Sequence, residues 1–181
     1  MIYPIVIYGA SELKAISAPI EKESIDVKKL SEDMFATMYQ AGGVGLAAPQ
    51  IGMNIRMFVI DASPWAEEEP ALADFKKTFI NAEIYEYGEQ EDYFSEGCLS
   101  LPGLYEDVKR PTSIRIRYVD ENWVEHDEFY DGYAARVIQH EYDHLDGKVF
   151  TDRLSPLRKK LVKGKLTGFT KGKYKASYRT K

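Results

Sequence analysis

The stretch "YAARVIQHEYDHL", residues 133 to 145, follows the punctuation of Asp131 and Gly132, and its apolar positions fall at helical spacing. Ala135, Ile138, Tyr142 and Leu145 form one stripe. At ~100° per residue, His140 and His144 lie roughly opposite that stripe, one turn apart on a shared face. An amphipathic surface helix would give its second face to water, whereas this one fills it with coordinating side chains. The spacing therefore predicts a central helix covered on both sides. Imidazoles at i and i+4 can converge on one ion, and Glu141, rotated partly off their face, is placed to reach a water on that ion without being a ligand.

Elements of a second kind surround this helix. "IRMFVID" and "KTFINAEIYEYG" are rich in β-branched and aromatic residues and read as strands. "TSIRIRYVDENWVEHDEFY" alternates Ile114, Ile116 and Tyr118 against Arg115 and Arg117 and turns at Asp120 to Asn122, which predicts a hairpin with one buried face. Upstream, Val27, Leu30, Met34, Met38 and Ala41 predict a helix of about fifteen residues, with Ser24 or Asp26 as N-cap and Gly42-Gly43 as the stop. "ASPWAEEEPALADFKK" is acidic, has two prolines and no clean period, and reads as a surface loop. In "LSPLRKKLVKGKL" a short helix is expected, with Gly164, Gly168 and Gly172 opposing a longer one. Together these elements predict an α+β fold: short mixed or antiparallel sheets wrapped around the helix that carries HEYDH.

Two histidines leave a metal in need of another ligand. The pattern H-E-x-x-H-x-x-G-x-x-H is kept through Gly147, but Phe150 stands where its last histidine belongs. No acidic residue follows Asp152, so a downstream glutamate is excluded too, and the ligand must come from upstream. Cys98, His126 and several carboxylates are open to that role. His126, in the polar stretch "NWVEHDEF", reads as a surface residue. Cys98 lies in "SEGCLSLPG" beside a glycine that permits close backbone approach. Its alternatives are a buried small hydrophobe or a thiolate completing a tetrahedral site with one open position.

A third stretch, "GGVGLAAPQIG" at 42 to 52, lacks both the GK[ST] ending and the G-x-G-x-x-G spacing of nucleotide loops, so no nucleotide cofactor is expected. A small-residue loop carrying one amide, Gln50, better suits an amide or carbonyl substrate; tight helix-to-strand packing is the alternative.

The bulk properties agree with one domain. A chain of 181 residues is long enough for a single core, and its one cysteine cannot form a disulfide within the chain. No basic n-region precedes the first apolar residues, and no segment nears the ~20 apolar residues of a membrane span, so a cytoplasmic location is expected. The net charge of -5 conceals an uneven distribution: eleven lysines and arginines and no acid follow Asp152, leaving -5 - 11 = -16 for the rest. That basic end reads either as a solubilising tail or as a contact for RNA.

Three stretches, "GVGLAAPQ" at 43 to 50, "EGCLS" at 96 to 100 and "QHEYDH" at 139 to 144, occur in the order found in the peptide deformylase family, which the chain resembles from "PIVIYG" to "LSPL". The resemblance implies one catalytic domain over residues 1–165, followed by a basic tail over 166–181; the eleven basic and no acidic residues of Arg153 to Lys181 make this end a candidate ribosome contact. It implies removal of the N-formyl group from the initiator methionine of new proteins, with N-formylmethionyl nascent peptides as substrates and formate as product. It further implies one divalent metal, Fe(2+), with Zn(2+), Ni(2+) or Co(2+) as substitutes. Cys98, His140 and His144 are then the ligands. A water on the metal attacks the formyl carbon, with Glu141 as general base and acid and with the Gln50 amide and the backbone N–H of Leu99 stabilising the oxygen. Val44 and Val137 are expected to line a pocket for the methionine side chain, with Gly45 and Gly97 beside the substrate. Two readings compete: a metallopeptidase acting on unformylated peptides, and a non-catalytic metal-binding or RNA-associated protein. The sequence departs from some family members at Tyr105, where many carry an arginine, at Arg136, where an apolar residue is more usual, and in a tail too glycine-rich for their long C-terminal helix.

Overall fold

Alternate side chains of a strand point to opposite faces, and in the stretch Met57 to Ile60 both faces are buried: Met57 and Val59 join one apolar cluster, Phe58 and Ile60 another. A sheet with an interior strand buried on both faces must be covered on both sides. The computed structural model describes residues 1–181 and has that layered form. Its elements are α1 (Val27–Ala41), β1 (Gly45–Ala47), β2 (Met57–Asp61), β3 (Lys76–Tyr87), β4 (Glu91–Cys98), β5 (Leu101–Pro111), β6 (Ser113–Val119), β7 (Glu125–Asp131), α2 (Gly132–Leu145) and α3 (Pro156–Thr170). Five strands form one sheet in the order β1-β2-β3-β6-β7, and β4 and β5 form a second. Every pairing within the sheets is antiparallel, which resolves the expectation of mixed or antiparallel sheets.

Helix α1 covers one face through Leu30, Met34 and Met38, in a cluster with Met57, Val59 and Ile80. Asp26 rather than Ser24 caps it, accepting the Lys29 N–H at 3.0 Å, and Gly42 ends it at φ 74° with its N–H donated to Met38 O and Tyr39 O. Helix α2 covers the other face with Ala135, Ile138 and Leu145, packed among Phe58, Phe79, Ile114 and Ile116. Its N-cap residue, Asp131, makes no side-chain cap; Glu69, reaching from the acidic loop, accepts the Tyr133 N–H at 3.1 Å instead. The hairpin β6–β7 buries Ile114, Ile116 and Tyr118 and exposes Arg115 and Arg117, as the alternation predicts.

The expectation of only a short third helix is overturned. Helix α3 spans 15 residues and continues through Gly164 and Gly168. Each internal glycine costs ~1 kcal/mol against alanine, whereas burying Val162 and Phe169 stabilises by ~1.5–3 kcal/mol per side chain, so packing prevails. Ser155 adds an N-cap bond to the Arg158 N–H, and Pro156 occupies the first turn, where its missing donor costs nothing. Residues 166–181, set apart in the sequence reading as a basic tail, comprise the end of α3 and an extended return over the N-terminal segment, where Ile5 bridges Thr180. Two of the eleven basic residues are engaged internally: Arg153 pairs with Asp143 and Arg158 with Glu106. No helix is long and apolar enough to cross a membrane.

Candidate metal centre

Helix α2 sets His140 and His144 one turn apart on the face turned away from the five-stranded sheet, their rings 5.4 Å between centroids. Strand β4 ends there at Cys98, whose Sγ lies 3.5 Å from His144 Nε2. One donor atom from each of the three residues lies within 4.8 Å of the others, so the group could hold a metal ion. A thiolate with two imidazoles supplies three positions of a tetrahedral site and leaves one for water or substrate. His126 is remote from this group: it sits half-buried on β7, stacked on Tyr118, with Nε2 2.8 Å from Asp120 Oδ2.

A second observation fits an ion with its water. Glu141 is 3 % exposed, and its Oε2 has no hydrogen-bond partner. An orphaned buried carboxylate oxygen costs roughly 1–3 kcal/mol, so its persistence beside the donor cluster suits a role toward a bound water. Burial pushes the Glu141 carboxyl up to about 7, against the opposing pull of the neighbouring His140 charge. His144 is pushed down to about 3, by burial first and by the His140 charge second, which keeps its imidazole neutral. Gly45 permits the close approach of β1 to the carboxylate, since a Cβ there would lie 2.5 Å from Glu141 Oε1.

Behind the three donors stands a buried charge network. Glu96 Oε1 accepts from His140 Nδ1 at 2.8 Å, which leaves Nε2, once deprotonated, as the ring nitrogen able to bind an ion. Arg110 donates to both Glu96 oxygens, at 2.7 and 2.9 Å, and to Asp143 Oδ2 at 2.9 Å. Arg153 closes the chain on Asp143 at 2.6 Å. Burial alone would raise the Glu96 carboxyl, but the hydrogen bonds from His140 and Arg110 outweigh it and hold the group down at about 2. Arg136 also belongs here, donating to Val108 O and Asp92 O at 2.8 Å and to Glu96 at 3.3 Å. It thereby ties both strands of the second sheet to α2, which accounts for a buried cation on this helix. No role for Glu96, Arg110, Asp143 or Arg153 was expected from the sequence. One signal was available: in a strand, residues 96 and 98 face the same way, so Glu96 lies on the side of Cys98.

Removing Arg110 should cost stability, because it leaves two buried carboxylates each short of a cation. Glu96 keeps Arg136, and Asp143 keeps Arg153, so the expected loss for Arg110→Met is the low end of the range for a broken buried pair, ~3 kcal/mol. Urea unfolding of the metal-free protein measures it. A loss under ~1 kcal/mol, the scale of an exposed ion pair, would mean that water replaces the guanidinium.

The donors open on a cavity of about 630 Å³, a size usual for a small-ligand site. Val44, Gly45, Gln50, Gly97, Cys98, Leu99, Val137, His140 and Glu141 all line it, and His144 lies behind them, fully buried. Gln50 is held at both ends: Oε1 accepts the Ala47 N–H at 2.9 Å, while Nε2 donates to Ser100 Oγ at 3.2 Å and toward Cys98 Sγ at 3.3 Å. Tyr105 lies over Gly97, where a Cβ would come 2.4 Å from its ring. Trp65, Phe94 and the C-terminal residues Lys175 to Tyr178 also line it and were not foreseen. They come from segments with no motif of their own.

The model of a family described as polypeptide deformylase matches residues 2–160. A peptide deformylase of Cytophaga hutchinsonii is 55% identical over 181 residues, spanning 100% of this chain and 97% of the relative. One of Christiangramia forsetii is 50% identical, spanning 99% of this chain and 95% of the relative. Among solved structures, the peptide deformylase from Thermus thermophilus superposes with a TM-score of 0.84 at 42% identity, covering 95% of this chain and 99% of that one.

Proposed function

Because the chain belongs to the peptide deformylase family, we propose that it removes the N-formyl group from the initiator methionine of newly made proteins, releasing formate. The observation that carries this reading is the conjunction of three metal-type donors within 4.8 Å of one another with a buried carboxylate on the same cavity. Cys98, His140 and His144 would hold the ion, iron(II). When bound it supplies Lewis acidity, making water acidic near neutral pH and polarising a carbonyl.

The residues of the chain do the rest. Glu141 takes a proton from the attacking water and passes it to the departing amine as the C–N bond breaks. A carboxyl near neutral pKa serves both directions, since it neither holds nor refuses the proton strongly. The Gln50 amide and the Leu99 N–H receive the carbonyl oxygen as charge gathers there. The Ala47 bond orients the Gln50 amide, and its Nε2 turns one hydrogen from Cys98 Sγ to the substrate oxygen while keeping the bond to Ser100 Oγ. Gly45 and Gly97 let the peptide backbone approach, and Val44 and Val137 line the pocket for the methionine side chain.

That pocket should favour formyl-Met over formyl-Gly peptides by ~2 kcal/mol in kcat/KM, about thirtyfold, from the apolar burial of a methionine-sized side chain. Steady-state formate release on the paired peptides measures it. Equal kcat/KM values would remove Val44 and Val137 from the reading.

The central test is purification without oxygen, metal analysis and a formate-release assay on formyl-Met-Ala-Ser. Release of formate and no amino acid is the expected result. Release of an amino acid from the unformylated peptide would favour a metallopeptidase instead. Iron-loaded protein should lose activity in air, because oxygen attacks both the ion and a ligating thiolate, while nickel- or cobalt-loaded protein should persist.

A further inference from the structure

We propose that Tyr178 is a positioning residue for this site: its hydroxyl holds the turn that carries Cys98 and Leu99, and its ring closes the cleft on the C-terminal side. The proposal rests on the deformylase reading above. After α3 the chain reverses at Gly172, in the left-handed region at φ 70°, and returns extended beside the N-terminal segment. Ile5 N–H donates to Arg179 O at 2.8 Å, Lys181 N–H to Ile5 O at 2.9 Å and Ile7 N–H to Lys181 O at 3.2 Å. The hydroxyls of Tyr174 and Thr180 meet at 3.0 Å, tying the return to itself. Tyr178 thus enters the cleft from a paired segment, and its ring packs against the apolar cluster that includes Leu101 and Leu104.

Its hydroxyl donates to Leu99 O at 2.7 Å. The next residue is held from two other directions: Ser100 O accepts the Tyr8 N–H at 2.9 Å, and Ser100 Oγ accepts from Gln50 Nε2 at 3.2 Å. Three distant parts of the chain therefore converge on two residues of the β4–β5 turn. The Cys98–Leu101 pair closes this turn, but the register slips beside it, between Gly97 and Cys98, so the turn is set apart from the regular pairing of the hairpin and gains from outside support. Cys98 enters this turn and Leu99 lies within it. Tying the Leu99 carbonyl restrains rotation about that residue, and with it the direction of the N–H assigned to the carbonyl oxygen of the substrate. Tyr178 touches backbone rather than the reacting atoms, so it acts through the turn. The ring does a separate job, forming with Lys175, Ala176 and Ser177 one wall of the cavity.

Two substitutions in the full-length, metal-loaded protein separate the two jobs. Tyr178→Phe keeps the ring and removes one neutral hydrogen bond. It should lower kcat on formyl-Met-Ala-Ser by ~3- to 10-fold, leave KM within about twofold, and retain one equivalent of metal. Tyr178→Ala should add a rise in KM of about tenfold, as the wall is lost. Amide hydrogen exchange at residues 99 to 101 should quicken in Tyr178→Phe, while the melting temperature and exchange elsewhere stay with the parent. Parent-like kcat or parent-like exchange in Tyr178→Phe would overturn the proposal, as would a general loss of protection, which would make Tyr178 a stability residue. A parent protein that releases no formate would instead overturn the deformylase reading, and the exchange measurement would still decide whether Tyr178 holds the turn.

Discussion

Glu141→Gln is expected to lower kcat for formate release by ~10²- to 10⁴-fold while one equivalent of metal stays bound, the usual cost of losing a general base. Glutamine has the shape of glutamate, and the space against Gly45 is already matched to that shape. The amide nitrogen cannot accept a proton from water, nor deliver one to the amine. Metal content should not change, because Glu141 is not among the three donors that lie within 4.8 Å. The Glu96 contact that orients His140 also remains, since it involves another carboxylate. Formate release and metal analysis on the same preparation make the decision. Activity within a few fold of the parent would transfer the proton work to some other group, and loss of metal would place Glu141 in the coordination shell.

Cys98→Ser should weaken metal retention by more than ~100-fold, because losing merely an outer partner of a ligand costs 10- to 100-fold and this change would remove one of the three proposed ligands outright. A serine hydroxyl does not readily ionise to replace a thiolate. The fold should survive: the Gln50 amide that donates toward Cys98 Sγ also donates to Ser100 Oγ, and Tyr178 holds the neighbouring carbonyl. The metal-free parent and variant should therefore melt within a few degrees of each other, while a competing chelator strips the variant first. Retention as tight as in the parent would mean that two histidines and some other group hold the ion.

Local physics was legible in the chain. Helix α2, with His140 and His144 on one face, follows from spacing alone, because a helix places i and i+4 together whatever surrounds it. The one-sided hairpin β6–β7 and the Gly42 stop of α1 are equally local, set by side-chain alternation and by the conformational freedom of glycine. Three families of contact were settled only by tertiary structure. The β4–β5 hairpin has few apolar residues to announce it, and its stability comes from Leu101, Leu104 and Val108 packing inward and from Arg110 and Arg136 reaching buried carboxylates. Helix α3 outlasts its glycines because an apolar groove receives Val162 and Phe169. The C-terminal residues line the cleft because the return over Ile5 satisfies backbone groups that no local pattern pairs. Intrinsic propensities differ by ~1 kcal/mol per residue, while a buried side chain or a broken buried ion pair is worth ~2–5 kcal/mol. Where the two compete, the partner distant in sequence decides, and its identity is a property of the folded chain.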